Sequence, residues 1–233
     1  MAAPPSRSSG AWTRRAGLVP LALFATLVAP GPTVTARDLE DTAPLVDLLQ
    51  VLFQGREIFA IEATRGSQRV VRLEIGERVR WHDARGKVAV VLTDRRILAV
   101  ATISASWQSE RFRAGERHPA AATLGDRVAL ILTNKRAIGF DGGSGNLVES
   151  DLGPRESVLL SRVGENVAVA VTTRRALGIS PFVGGFFPVK LDVGEDIESL
   201  STAANLATLS TSRRLLTFRA NTGSWEERRL GLH

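Results

Sequence analysis

The residues of this 233-residue chain that could do chemistry recur along it instead of gathering in one motif. Pairs of cations stand at Arg95 and Arg96, Lys135 and Arg136, Arg174 and Arg175, and Arg213 and Arg214, with Arg56 alone ahead of them. Between the pairs runs a column of acids, Glu77, Glu116, Glu156 and Glu195. Two chemistries suit such a series. One is a cationic ring that attracts an anionic ligand or an acidic protein through its summed field. The other is a lattice of Arg–Glu pairs that ties structural units together, each pair worth about 0.2–1 kcal/mol where exposed. Phe182, in the glycine-hinged stretch Pro181–Pro188, is a further binding candidate, because an apolar loop tip can anchor a partner.

Catalytic signals are sparse. The chain has no cysteine, which excludes disulfides, thiolate metal sites and a cysteine nucleophile. His82, His118 and His233 lack the i, i+2 or i, i+4 partner usual in a metal site. Asp141 to Asn146 has the outline of a calcium loop, but glycines fill its intermediate ligand positions and a glycine-rich turn is expected. Asp83 and Glu198 are the obvious acids on inward strands, and a carbohydrate hydrolase or lyase using them is the alternative function. No nucleophile elbow, phosphate loop or dinucleotide fingerprint occurs. No catalytic residue, metal or cofactor is therefore assigned.

What positions these residues is an internal repeat. Four copies of one pattern read VAVVLTDRRILAV from Val88, VALILTNKRAIGF from Val128, VAVAVTTRRALGI from Val167 and LATLSTSRRLLTF from Leu206. A degenerate copy, LQVLFQGREIFAI, starts at Leu49, and Arg56, Arg95, Lys135, Arg174 and Arg213 lie 39, 40, 39 and 39 residues apart. Gln68, Trp107, Leu147, Phe186 and Trp225 keep the same register. Alternating apolar runs broken by Gly, Asn and Asp read as short strands and turns, about 40 residues to a four-stranded unit. In the third repeat the strands are expected near His118–Thr123, Arg127–Thr133, Arg136–Asp141 and Asn146–Leu152. The fold class is all-β, a five-bladed β-propeller with repeats near 40–78, 79–117, 118–156, 157–196 and 197–233. Its last blade lies against its first, which hides edge strands, and the first inner strand falls near Asp41–Val46. Helix-pair repeats would need longer runs of 3.6 periodicity. The segment VLFQG, at 51–55, matches part of a viral protease site but stands in repeat register as strand and turn.

The stretches GFDGGSGNLVESDLG, from Gly139, and TFRANTGSWEERRLG, from Thr217, resemble quinoprotein (PQQ)-type propeller repeats, whose Asp-x-x-Thr-Gly turn precedes a tryptophan strand. The first lacks the tryptophan and the second the aspartate, so the resemblance implies the fold and no cofactor.

Ahead of the repeats, Arg7, Arg14 and Arg15 precede an uncharged run from Ala16 to Pro30. That is the anatomy of a signal peptide, with cleavage after Ala36 and a single domain from 37 to 233. The run is shorter than the ~20 apolar residues a spanning helix needs, so no membrane span remains after cleavage. Thr13–Arg15 also begins like a twin-arginine motif, although Gly17 stands where a large apolar residue is favoured. Removing three arginines and no acid halves the formal charge of +6, which argues against nucleic acid as partner. The reading is an exported, periplasmic or secreted monomer, a non-enzymatic binding or scaffold module with a protein or anionic ligand as partner. A purely structural envelope protein is the remaining alternative.

Overall fold

A computed structural model of the chain describes residues 47–229. Those residues form five antiparallel sheets and no helix. The first sheet holds β1 (Leu49–Gln54), β2 (Glu57–Glu62) and β3 (Gln68–Arg72). The second holds β4 (Val79–Arg85), β5 (Val88–Thr93), β6 (Arg96–Ala101) and β7 (Gln108–Arg111). The third holds β8 (Thr123–Leu124), β9 (Val128–Leu132), β10 (Arg136–Asp141) and β11 (Asn146–Asp151). The fourth holds β12 (Val158–Val163), β13 (Ala168–Thr172), β14 (Arg175–Ile179) and β15 (Phe186–Lys190). The fifth holds β16 (Ile197–Thr202), β17 (Leu206–Thr211), β18 (Arg214–Arg219) and β19 (Ser224–Arg229).

Each sheet is a meander within one repeat, which is the construction of a β-propeller blade. The VLFQG segment is β1 and its turn, where Gly55 takes the left-handed φ of 60°. The signal-peptide segment and the first inner strand, expected at Asp41–Val46, lie outside the described residues.

The second strands carry the cores because both of their faces are covered. In β5, β9 and β13 alternate residues point to the preceding and the following sheet, so these strands read as unbroken apolar runs. Ala89 and Val91 pack toward Leu49, Ile58 and Ala60 of the first sheet, while Val88, Val90 and Leu92 pack toward Ile131, Ile138 and Phe140 of the third. Val128 and Leu130 meet Ala168, Ala170 and Ile179, and Val167, Val169 and Val171 meet Leu209, Leu216 and Phe218. Four apolar layers thus join consecutive sheets.

Consecutive sheets are also joined main chain to main chain at the turns between first and second strands. Leu48 N–H donates to Gly86 O at 2.7 Å, Lys87 to Asp126 at 2.8 Å, Arg127 to Glu165 at 3.0 Å and Asn166 to Ala204 at 2.8 Å. The approach is so close that a Cβ on Gly164 would stand 2.2 Å from Ala203 O and 3.0 Å from Val167 Cγ1. Gly164→Ala is therefore expected to cost about 2–3 kcal/mol through overpacking. Urea unfolding measures it, and an unchanged midpoint would mean that the two sheets do not meet this closely.

The structure departs from the sequence reading in the third repeat. The first strand of the third repeat shrinks from the expected His118–Thr123 to Thr123–Leu124. Pro119 has no N–H to give a ladder, and His118 packs its ring against Phe112 instead, 4.5 Å between centroids. The expected contact of the last blade with the first involves the first inner strand, which lies outside the described residues. Among the described residues no apolar cluster, hydrogen bond or ion pair joins the fifth sheet to the first, and Leu52, Val70 and Leu206 on these sheets are exposed.

Candidate functional site

The alternating strand direction places the β5–β6, β9–β10, β13–β14 and β17–β18 turns, and the connections between sheets, at one end of the molecule. At that end the nine cations divide into two groups. Each second member of a pair enters a repeated station. Glu77 Oε1 accepts from Thr93 Oγ1 at 2.7 Å and Arg96 Nε at 2.9 Å, while its Oε2 accepts the Glu74 N–H at 2.7 Å. The Arg96 guanidinium then crosses to the preceding sheet and donates to Arg72 O at 2.9 Å.

The same four roles recur in three more sheets. Thr133, Glu116 and Arg136 reach Arg111 O, Thr172, Glu156 and Arg175 reach Asp151 O, and Thr211, Glu195 and Arg214 reach Lys190 O. Arg136 is wholly buried and donates further to Glu110 at 2.7 Å and to Glu149. These charge-assisted bonds satisfy buried partners on both sides of a sheet junction.

The electrostatics follow from this burial. Loss of water by itself would raise the carboxyls of Glu77, Glu116 and Glu156. The facing guanidinium, a turn N–H and the threonine hydroxyl outweigh it and hold all three below the ordinary carboxylate range. At Glu195 the Arg214 guanidinium is the leading influence and holds the carboxyl at about 2.

The nine cations of the expected ring are thus not equivalent. Arg96, Arg136, Arg175 and Arg214 are held in stations, since each guanidinium meets a buried carboxylate and a neighbouring carbonyl. The other members stay outside and reach the connections between sheets. Arg95 meets Glu74 at 3.1 Å, Lys135 caps Ala114 O, Arg174 donates to Pro154 O at 2.9 Å, and Arg213 stands 4.0 Å from Asp192. Arg56 donates to Leu73 O at 3.1 and 2.5 Å. In the first sheet Gln54 and Glu57 occupy the positions of the threonine and the buried arginine.

The opposite end carries Phe182. The β10–β11 turn and the β14–β15 loop enclose a cleft of about 440 Å³ lined by Asp141, Ser144, Asn146, Pro181, Phe182 and Val183, among others. Asp141 is occupied by its own turn: Oδ1 accepts from Gly143 N–H at 2.7 Å and Ser144 N–H at 3.2 Å, and Oδ2 accepts the Ser144 hydroxyl at 2.6 Å. Ser180 does the same for the facing loop, accepting from Phe182 and Val183 N–H. A Cβ on Gly143 would lie 1.9 Å from Pro181 O, so glycine is what lets the two turns meet. Phe182 is 45% exposed at the mouth of this cleft, with Val183 beside it. Phe186 and Phe187, from the same stretch, turn inward against the apolar layers.

The inward acids are engaged separately. Asp83 accepts the Ala84 N–H at 2.9 Å and Glu198 accepts the Ser210 hydroxyl at 2.8 Å, and neither lines the Phe182 cleft. Glu198 sits at a register shift in β16, as Arg80 does in β4 and Leu159 in β12. A bulge re-aims the residue it contains, a feature the sequence pattern did not signal. Among the described residues no group of three His, Asp or Glu could hold a metal. The missed structural residues are Thr93, Thr133, Thr172 and Thr211. Their signal was present as a threonine two residues ahead of each cation pair in three copies and likewise ahead of Arg213.

No family model matches the chain, and a comparison with curated proteins finds no match. Solved structures similar to it include Prp20p of Saccharomyces cerevisiae, at 11% identity over 74% of this chain and 55% of that one, TM-score 0.39. The Pan2 WD40 domain of Neurospora crassa is 12% identical over 79% and 63%, TM-score 0.30, and Hsv2p of Kluyveromyces lactis 13% identical over 78% and 69%, TM-score 0.36. The chain thus spans little more than half of the first and under two thirds of the second. At such scores the likenesses carry no argument about function. The meander sheets define the class by themselves, a β-propeller repeat protein.

Proposed function

We propose that this chain is an exported five-bladed propeller that works as a non-enzymatic binding module, docking a protein partner at the end that bears Phe182. The observation that carries this reading is the half-exposed Phe182 at the mouth of a cleft whose one buried carboxylate, Asp141, is already taken up by turn amides and a hydroxyl. An aromatic anchor beside a concavity is what a protein interface uses at its centre, and it offers no acid–base pair for catalysis. A periplasmic or extracellular setting rests on the N-terminal pattern of arginines and apolar residues. The quinoprotein-type resemblance contributes the propeller and no cofactor.

The test is partner capture from an envelope extract by the exported protein, beside Phe182→Ser and a variant with Arg95, Lys135, Arg174 and Arg213 changed to Gln. A partner retained by the charge variant and weakened about tenfold or more by Phe182→Ser, the scale of one interface anchor, supports the cleft. Equal capture by Phe182→Ser would overturn it. Unchanged urea midpoints show that both variants are folded.

A further inference from the structure

The end opposite Phe182 has a second repeated feature that the stations do not use. Each connection between described sheets is a four-residue turn closed by an i to i+3 bond, with Glu77 N–H donating to Glu74 O at 3.1 Å, Glu116 to Arg113 at 2.9 Å, Glu156 to Gly153 at 2.9 Å and Glu195 to Asp192 at 3.1 Å. The third residue has positive φ in every case, at Gly76, Gly115, Arg155 and Gly194. That is the type II pattern, whose second residue stands at the apex. The apices are Ile75, Ala114, Pro154 and Val193, all apolar. Ile75 is 82% exposed and Val193 97% exposed, among the most exposed large apolar side chains described. Leu159, 54% exposed, lines the same shallow groove as Val193.

The charges around the apices are arranged by the fold. The station glutamates close these turns and their side chains are buried, so their charge is withdrawn from this surface. Glu74 is neutralised by Arg95 and Arg111, and Asp192 faces Arg213. Asp94 accepts the Arg78 N–H, and Asp196 accepts none of the cations. Among the described residues Arg78, Arg117 and Arg155 have no acid within ion-pair distance, and Lys135 and Arg174 hold only main-chain carbonyls. Apolar apices on equivalent turns, interleaved with uncompensated cations, are the two ingredients of attachment to an anionic membrane surface. The apolar tips enter the acyl boundary and the cations stay at the headgroups.

We propose that this end of the propeller docks on an anionic phospholipid surface, with Ile75 and Val193 as the inserting residues and Lys135, Arg155 and Arg174 among the cations that meet the headgroups. This face is remote from the Phe182 cleft, so the two readings stand or fall separately.

The full chain is sedimented with vesicles of equal parts phosphatidylcholine and phosphatidylglycerol, beside vesicles of phosphatidylcholine alone. Residues 16–30 are apolar and shared by every variant, so the readout is the ratio between variants. Ile75→Ser with Val193→Ser is expected to lower partitioning onto the anionic vesicles by about tenfold per side chain. Lys135→Gln, Arg155→Gln and Arg174→Gln together are expected to lower it further at low salt and to flatten its salt dependence. Partitioning that ignores the apices, or is as strong on neutral vesicles, overturns the proposal. Full competition by free glycerol 3-phosphate would replace the surface with a headgroup pocket and also overturns it. So does loss of protein capture in the Ile75→Ser, Val193→Ser variant without vesicle binding by the parent, which would make this face a protein interface.

Discussion

Replacing Arg136 by methionine is expected to lower folding stability by about 3–5 kcal/mol, the cost of leaving one half of a buried ion pair without the other. Arg136 is wholly buried, and its removal would strand the buried Glu116 carboxylate, the Arg111 carbonyl, and one oxygen each on Glu110 and Glu149. Methionine refills much of the volume but gives no hydrogen bond, so the loss is electrostatic in origin. The equivalent change at Arg175, whose side chain is 25% exposed, should cost less, because water reaches part of that station. Arg213→Gln, on an exposed side chain 4.0 Å from its acid, should move the midpoint by no more than about 0.5 kcal/mol. Urea unfolding of the three variants measures the order. Adding Glu116→Gln to Arg136→Met should recover part of the loss, since a neutral amide costs less to bury than a carboxylate. Equal effects at Arg136 and Arg213 would refute the division of each cation pair into a buried and an outer member.

Acid should unfold the protein through the same stations. The four glutamates are held lower in the folded chain than in the unfolded one. Such groups contribute stability that is fully present above the unfolded value and is lost as pH falls through the folded value. For Glu195 the loss runs from about pH 4.5 down to about pH 2 and amounts to roughly 3 kcal/mol. Glu77, Glu116 and Glu156 act in the same direction, so the slope of stability against pH should steepen below pH 4.5. Glu195→Gln should start from a lower stability at neutral pH and show a shallower slope in that window. Unfolding free energies that stay flat from pH 5 to pH 2 would mean that the carboxylates are not held as the geometry requires.

The stations also bear on function. A surface made of all nine cations would have been a strong anion attractor, yet four guanidiniums are spent holding neighbouring sheets together. What remains outward is a sparser set of cations around apolar apices at one end and Phe182 at the other. Side chains at either end can then vary without disturbing the layers, because Val193, Ile75 and Phe182 are exposed and contribute little to the packing that holds the sheets.

Much of this was legible in the sequence. The period of 39–40 residues, the strand positions, the turn glycines and the registered columns of Glu and Arg are properties of a linear pattern, and each repeat folds mainly on itself. The tryptophan column was readable for the same reason. Trp107 and Trp225 each dock an indole N–H on a carbonyl of the preceding sheet, at Arg69 and Phe187, one period back. What the pattern could not assign was which member of each cation pair is buried. That depends on a carbonyl 24 or 25 residues earlier, on the last strand of the preceding sheet, which comes within reach only when two blades pack. The shortened strand before Leu124, the bulges that re-aim Arg80, Leu159 and Glu198, and the meeting of the Asp141 and Phe182 turns are decided in the same way. They arise where one repeat constrains another, and local sequence preference has no access to the neighbour.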